Sequence, residues 1–592
     1  MPRRSVLLLL LLLLTPPSAA QPAAEARRHM VAAPHPMAAE AGLAMLRAGG
    51  HAVDAAIAAQ AMLTLVEPHA SGLGGGALLL HWDAAARDLS AWDGRETAPA
   101  ATTPALFLRE DGRPMGFLEA ALGGRAVGVP GTLRMLEAAH RRHGRLPWAA
   151  LFAPAIAAAE EGFPVSPRLA ATIAVEAERL RPDPQAAALF LLPDGQPPPP
   201  GHLLHNPALA ATLRAVAAEG ADALHHGPIA AEIAAAVQGA ARNPGLMTTA
   251  DLAAYAPRRR DALCAPYRAF VVCGFPPPSS GGVAVLQILA VLAHQDMAPL
   301  APPPAPCGPA PGAGPCGGPP PLGPRGADAA HLLGEAGRIA FADRNRYLAD
   351  ADHVPVPVRG LLDPTYLTLR AQLLGPDRAL AAPQPGNPSR QEGPAPASQP
   401  PQPEHGTSHL SIVDAAGNAL ALTTTIEDVF GARTVARGFP LNNELTDFSF
   451  LPEVAGRPVA NRVGPGKRPR SSMSPTIVFA NGAPVAVLGS AGGSRIIGHV
   501  AQVLVAMLDW GMDPQAAVSL PRIGARDAVL ELEAGTEAAT LAPALEARGF
   551  PVEVRPMLSG LQAIRIQRGP EREVRLLLGG ADPRREGVAV GD

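Results

Sequence analysis

The chain has 592 residues, 47% of them hydrophobic, with 49 Lys or Arg against 52 Asp or Glu and a formal net charge of −3. That balance excludes the basic field a nucleic-acid binder presents, and the apolar content excludes a disordered chain. The length exceeds what one hydrophobic core usually serves, so two domains or one large layered domain is expected.

In chain order, residues 1–20 pair Arg3 and Arg4 with an apolar run from Val6 to Leu14 and a small-residue end at Ala19-Ala20. This is the pattern of a signal peptide. The run falls short of the roughly 20 apolar residues that span a bilayer, so no stable membrane span is expected, and the mature chain would begin near Gln21 in the periplasm or outside the cell. Residues 37–66 carry apolar residues at helical spacing, broken at Gly49-Gly50, and predict two packed helices. "SGLGGGALLLHWD" (71–83) leads into a strand, and residues 132–240 are helical by period, broken at "PDGQPPPPG".

Cys264 and Cys273 flank the strand-like "APYRAFVV", while Cys307 and Cys316 sit in a proline-rich insert, 299–325. In an oxidising compartment these spacings suit one or two local disulfides, not a metal knuckle or a nucleophile. A helix over 327–350 follows. Residues 382–406 are again proline-rich and read as an exposed tether with too little apolar surface to order itself. The texture then changes. "SHLSIVDAAGNALALTTTI" alternates around an Ala-Gly-Asn turn, "SPTIVFANGAPVAVLGS" around Asn-Gly, and both predict β-hairpins. With the helix "IIGHVAQVLVAMLDWGM", they suggest a sheet covered by helices.

The break in texture falls at "EHGTSHLSIVD" (404–414). A threonine hydroxyl is a weak nucleophile unless a neighbouring base takes its proton, and the free α-amine of an N-terminal threonine is such a base. Its ordinary pKa of about 7.7–8.0 suits work near neutrality. Cleavage at Gly406–Thr407 would create that amine. Downstream, "LNNELTDFSF" (441–450), "KRPRSSMSPT" (467–476) and "GSAGGSR" (489–495) gather polar groups and glycines at the ends of apolar strands, where side chains can converge on one pocket.

From about residue 30 to the C-terminus the chain resembles the γ-glutamyltranspeptidases, members of the N-terminal nucleophile hydrolases. The resemblance is carried in order by "GGHAVDAAIAAQAMLTLVEPHASGLGGG", "DGRETAPA", "PPPSSGG", "TSHLSIVDAAGN", "NNELTDFS", "KRPRSSMSPT" and "GSAGGSRI". It implies an α/β (α+β) fold, a four-layer αββα sandwich, built from a large subunit (21–406) and a small catalytic subunit (407–592) cut from one precursor. By the same resemblance Gly406 and Thr407 form the cleavage site, Thr407 is the nucleophile, and Thr425 orients it. Gly492 and Gly493 would supply the oxyanion hole. Arg95, Ser471 and Ser472 would grip a substrate α-carboxylate, and Glu444 and Asp447 its α-ammonium. Substrates would be glutathione and other γ-glutamyl compounds, with water, amino acids or peptides as acceptors and no metal or organic cofactor.

Two departures stand out. Glu427 replaces an asparagine found in some relatives and would add a third acid to the ammonium site. The segment 448–470 is short and lacks tyrosine where relatives with a lid carry an aromatic gate, so an open pocket is expected. His405 and His409 straddle the cut, and metal binding there is not expected. Two other readings compete: a glutaryl or cephalosporin-type acylase on the same scaffold, whose substrate lacks the α-ammonium, and a secreted binding protein that never matures.

Overall fold

The computed structural model describes residues 22–303, 321–389, 393–404 and 406–592. The expected signal peptide, Cys307, Cys316 and His405 therefore lie outside the described residues. Among the described residues no helix is long and apolar enough to cross a membrane.

Two seven-stranded antiparallel sheets stack face to face. One runs in the order Ala24–Ala26, Val574–Ala581, Gln562–Arg568, Ala483–Gly489, Thr476–Ala480, Phe270–Gly274 and Leu263–Tyr267. The other runs Val588–Gly591, Met30–Ala33, Ser408–Val413, Ala419–Thr425, Gly76–Asp83, Asp88–Gly94 and Arg258–Asp261. Leu78, Leu80, Ile477, Val487, Ile564 and Leu577 fill the space between them. Helices Pro36–Arg47 and Ala52–Val66 cover the outer face of the second sheet. Gly281–Leu292, Gly326–Tyr347 and Ile496–Leu508 cover the first. The result is the expected αββα sandwich, as one layered body.

Burial on both faces explains the local sequences. In Gly76–Asp83, Ala77 and Leu79 meet the helix layer while Leu78 and Leu80 meet the other sheet, so the strand is an unbroken apolar run rather than an alternating one. Ala52–Val66 is buried along its whole length. Its start is fixed by a capping box between His51 and Asp54, and Gly49, at φ 88°, makes the turn before it.

Both expected hairpins form. Asn481 (φ 51°) and Gly482 (φ 74°) supply the two positive φ angles a type I′ turn demands. In the other, Ser408 pairs with Thr424, and Asp414 Oδ1 accepts from the N–H groups of Ala416 and Asn418 to close the turn.

Two expectations change. "APYRAFVV" is not one strand but two: Leu263–Tyr267 folds back on Phe270–Gly274 with Arg268 at φ 53° in the turn. This sets Cys264 opposite Cys273, and they are disulfide-bonded. The proline-rich tether is not exposed along its length either. Ala397 (1% exposed) and Gln399 (4%) are buried. Ala397 N–H donates to Pro458 O (2.9 Å), Gln399 N–H to Asn345 O (2.8 Å), and the Gln402 side chain to Phe448 O (2.9 Å) and Thr446 O. Proline removes donors from a segment, but several of the donors this one retains find acceptors on the body.

Candidate active site

Thr407 sits at the open end of the hairpin Ser408–Val413/Ala419–Thr425, opposite Thr425. It is buried, and its φ of 94° is a strained backbone for a β-branched residue. Its N–H donates to Ala70 O (3.3 Å), and its carbonyl accepts from Arg585 Nη1 (2.9 Å). Its hydroxyl lies 3.5 Å from Thr425 Oγ1, which accepts from the Glu427 N–H at 2.8 Å. Ser408 next door is bonded to Glu67 (2.7 Å).

The bond before Thr407 is confined as tightly. Gly406 has φ 65°, and a Cβ there would stand 1.6 Å from Glu427 O, so only glycine fits. Its carbonyl accepts from the Gly492 N–H at 3.3 Å. Gly492 (φ 128°) and Gly493 (φ 58°) occupy backbone conformations that favour glycine. They lead into the 3-10 turn Gly493–Arg495 and then the helix Ile496–Leu508.

The acid and base residues form a second shell of charge around this point. Arg95, just past the strand Asp88–Gly94, is fully buried and forks between Glu444 and Asp447, while its Nε donates to Pro469 O and Nη2 to Arg470 O, each at 3.1 Å. Burial pushes Glu444 up to about 8. Asp447 also rises well above its ordinary value through burial. Glu427 rises through burial and then through Asp447, Asp428 and Glu444, and its Oε2 accepts from Asn443 Nδ2 at 2.5 Å. Glu96 lies beneath them, 3.8 Å from Arg95 and buried, and its carboxyl is held at about 8 by burial. So many acids around one guanidinium favour a further cation.

Ser471 and Ser472 differ. Ser471 is tied to the "PPPSSGG" segment: its N–H donates to Pro278 O (3.0 Å), and its carbonyl accepts from Ser280 N–H and Oγ–H (both 2.7 Å). Ser472 Oγ instead bonds Glu404 Oε2 (2.7 Å) and accepts from Arg344 Nη2 (2.6 Å). Glu404 thus reaches into the same pocket as Thr407, Thr425, Arg95, Glu427, Glu444, Asp447, Ser471, Ser472 and Gly493. Despite burial, Arg344 and Arg470 hold its carboxyl down at about 2. The free volume left there is about 10 Å³, room for one water. The pocket of the intact chain is therefore filled by the chain itself, not open.

The sequence-predicted residues thus converge on one place. Arg344, Glu404, Glu67 and Arg585 were missed, because each acts through partners at least 60 residues away. The best signal for Glu404 is its place three residues before the threonine. His409 is not free to act as a ligand: Thr423 Oγ1 (2.8 Å) and Ser411 Oγ (3.1 Å) take its two ring nitrogens, and burial drives it down to about 3. Among the described residues no group of three His, Cys, Asp or Glu is placed to hold a metal ion.

Comparison with known proteins places this geometry. The gamma-glutamyltranspeptidase family model matches residues 38–592. The glutathione hydrolase proenzyme of Bacillus subtilis (strain 168) is 36% identical over 571 residues, 95% of this chain and 91% of that one. That of Escherichia coli (strain K12) is 35% identical over 568 residues, 94% of this chain and 91% of that one. Among solved structures, the cephalosporin acylase from Bacillus halodurans aligns with a TM-score of 0.81 at 27% identity, covering 98% of each chain.

Proposed function

Because this chain belongs to the γ-glutamyltranspeptidase family, we propose that it cuts itself at Gly406–Thr407 and then uses Thr407 on γ-glutamyl donors. It is an enzyme that hydrolyses and transfers γ-glutamyl groups, with glutathione and water as donor and simplest acceptor. Amino acids and peptides serve as further acceptors, and the N-terminal pattern directs the chain to the periplasm or the exterior.

The observation that carries the reading is the Gly406 carbonyl. It accepts from the Gly492 N–H while the Thr407 hydroxyl stands beside Thr425. Attack of Thr407 Oγ on the Gly406 carbonyl carbon replaces the amide by an ester. Water then hydrolyses the ester, leaving a carboxylate on Gly406 and a free amine on Thr407. In the mature site that amine takes the hydroxyl proton as Oγ attacks the γ-carbonyl of the donor. Charge on the tetrahedral oxygen is met by the Gly492 and Gly493 N–H groups, each such donor being worth about 3 kcal/mol. The ammonium returns its proton to the departing amine, and water or an amine acceptor resolves the γ-glutamyl ester. Glu427, Glu444 and Asp447 receive the donor's α-ammonium, while Arg95, Ser471 and Ser472 face its α-carboxylate.

Denaturing electrophoresis with N-terminal sequencing tests the cut: two bands are expected, the smaller starting Thr-Ser-His-Leu, and Thr407→Ala should remain one chain. Two bands in Thr407→Ala would end the proposal. A second reading, an acylase for glutaryl side chains, is favoured by the likeness to a cephalosporin acylase. Glutaryl carries no ammonium to meet the buried acids. Turnover of γ-glutamyl-p-nitroanilide should therefore exceed that of glutaryl-7-aminocephalosporanic acid, and the reverse order would favour the acylase.

A further inference from the structure

Glu67 closes the C-terminal end of the helix Ala52–Val66, with its side chain 2% exposed. Its carbonyl accepts from the N–H groups of Ala70 (3.0 Å) and Ser71 (3.3 Å), folding the turn whose Ala70 O accepts from the Thr407 N–H (3.3 Å). The Glu67 carboxylate approaches the same threonine from its other end. Oε2 accepts from Ser408 Oγ (2.7 Å) and stands 3.9 Å from Arg585 Nη1, which donates to Thr407 O (2.9 Å). Oε1 accepts from Arg168 Nη1. Arg585 is fixed in turn by Ser559 O, which accepts from its Nε at 3.1 Å.

Thr407 lies just outside the strand Ser408–Val413. Once it is a chain end it loses its tie through Gly406, and a free terminus frays unless something holds it. A misplaced nucleophile forfeits much of the gain from orientation. Glu67 is absent from the wall of the donor pocket, yet it holds the two groups that grip Thr407 from behind, the Ser408 hydroxyl and Arg585. It is also the carboxylate set between two guanidiniums, Arg168 and Arg585. The other titratable groups facing it add little charge. His35 and His69 are kept neutral by burial, and Glu586 turns its Oε1 to the Arg168 backbone N–H at 3.0 Å.

We infer that Glu67 is a positioning residue for the nucleophile. From the other side of the expected cut, it acts through Ser408 and Arg585 to keep the Thr407 hydroxyl and amine aligned with the carbonyl under attack. The assignment rests on the reading of Thr407 given above, and the test separates the two.

Matured wild type and Glu67→Gln, which keeps an acceptor for Ser408 but not the charge, are assayed with γ-glutamyl-p-nitroanilide as a function of pH. Glu67→Gln should lose at least ~10-fold in kcat while KM stays within ~3-fold of wild type. The acidic limb of kcat/KM, which reports the amine acting as base, should move to lower pH by at least ~0.5 unit, because Arg168 and Arg585 without their carboxylate disfavour the ammonium. A carboxylate that only supports the fold would change the yield of folded enzyme and leave that limb in place, so an unmoved limb or an unchanged kcat overturns the assignment. If Glu67→Gln stays uncut, Ser408→Ala, which removes only the hydroxyl link, takes its place, and wild-type kcat in that variant overturns the assignment equally. Loss of the cut in both variants supports positioning if their unfolding temperatures match wild type, and overturns it if those temperatures collapse. Wild type that is cut yet does not turn over the donor overturns the donor reading alone. The assignment then stands or falls on the half-time of the cut, which Glu67→Gln should lengthen at least ~10-fold. Wild type that is never cut overturns both.

Discussion

At the scale of single residues, Gly406 carries the sharpest constraint. A Cβ at that position would stand 1.6 Å from the Glu427 carbonyl, so Gly406→Ala must shift the very bond whose oxygen meets Gly492. The expected result is a single uncut band on denaturing gels from protein that still folds; normal processing would show that the backbone there is free to move. Arg95 presents the opposite case, a charge whose removal orphans others. Arg95→Met takes from Glu444 and Asp447 the guanidinium they share beside Glu96, and burial, which already holds Glu444 and Glu96 at about 8, then opposes their ionisation further. The fall in unfolding temperature relative to wild type should therefore widen as pH rises past about 8, and a gap that does not change with pH would show that the acids are ionised throughout. Thr407, Gly492 and Ser472 could be found from their neighbours in sequence. Arg344 could not, because what makes it special is Glu404, 60 residues on, and Ser472, 128 residues on.

At the scale of elements, the hairpin Ser408–Val413/Ala419–Thr425 presses against the other sheet so closely that a Cβ on Gly489 would come within 2.3 Å of the His409 ring. Burial keeps that ring neutral, with a pKa near 3, against about 6.5 in an unfolded chain. Its contribution to stability is therefore complete above about pH 6.5 and is lost as pH falls from there toward 3, by about 1.4 kcal/mol per pH unit. His409→Asn should consequently be most destabilising at pH 7–8, with the gap to wild type in denaturant midpoint narrowing steadily down to pH 4. A gap that does not change with pH would show that the ring is solvated. Elements were legible where turn chemistry is local: Asn481-Gly482 announces its own hairpin. The Cys264–Cys273 hairpin was not, because Arg268 makes its turn without Gly or Asn. The tether's packing also escaped, since proline content predicts how a segment behaves alone and not which carbonyls wait for its few donors.

At the scale of the molecule, texture suggested a sheet covered by helices and the family resemblance implied the four layers, but which strands neighbour which was not legible. Met30–Ala33, from one side of the expected cut, lies between Val588–Gly591 and Ser408–Val413, from the other. Strand order depends on pairings hundreds of residues apart, which no local pattern encodes. Each sheet is thus shared by both expected subunits, and neither could close a core without the other.

The same sharing brings the first and last described segments together: the Arg27 and Arg28 N–H groups donate to Asp592 O at 2.8 and 2.7 Å. The order of translation can therefore be rewritten without moving an atom of the body. A gene that begins with a start codon followed by Thr407, runs to Asp592, crosses a glycine-serine linker of about ten residues and resumes at residue 22 would end at Gly406. Excision of the initiator methionine alone would then bare the threonine amine. Such a permutant should hydrolyse γ-glutamyl-p-nitroanilide as a single chain that has never cut itself, separating maturation from turnover. A folded permutant with Thr407 at its N-terminus and no activity would mean that the act of cleavage does more than expose an amine.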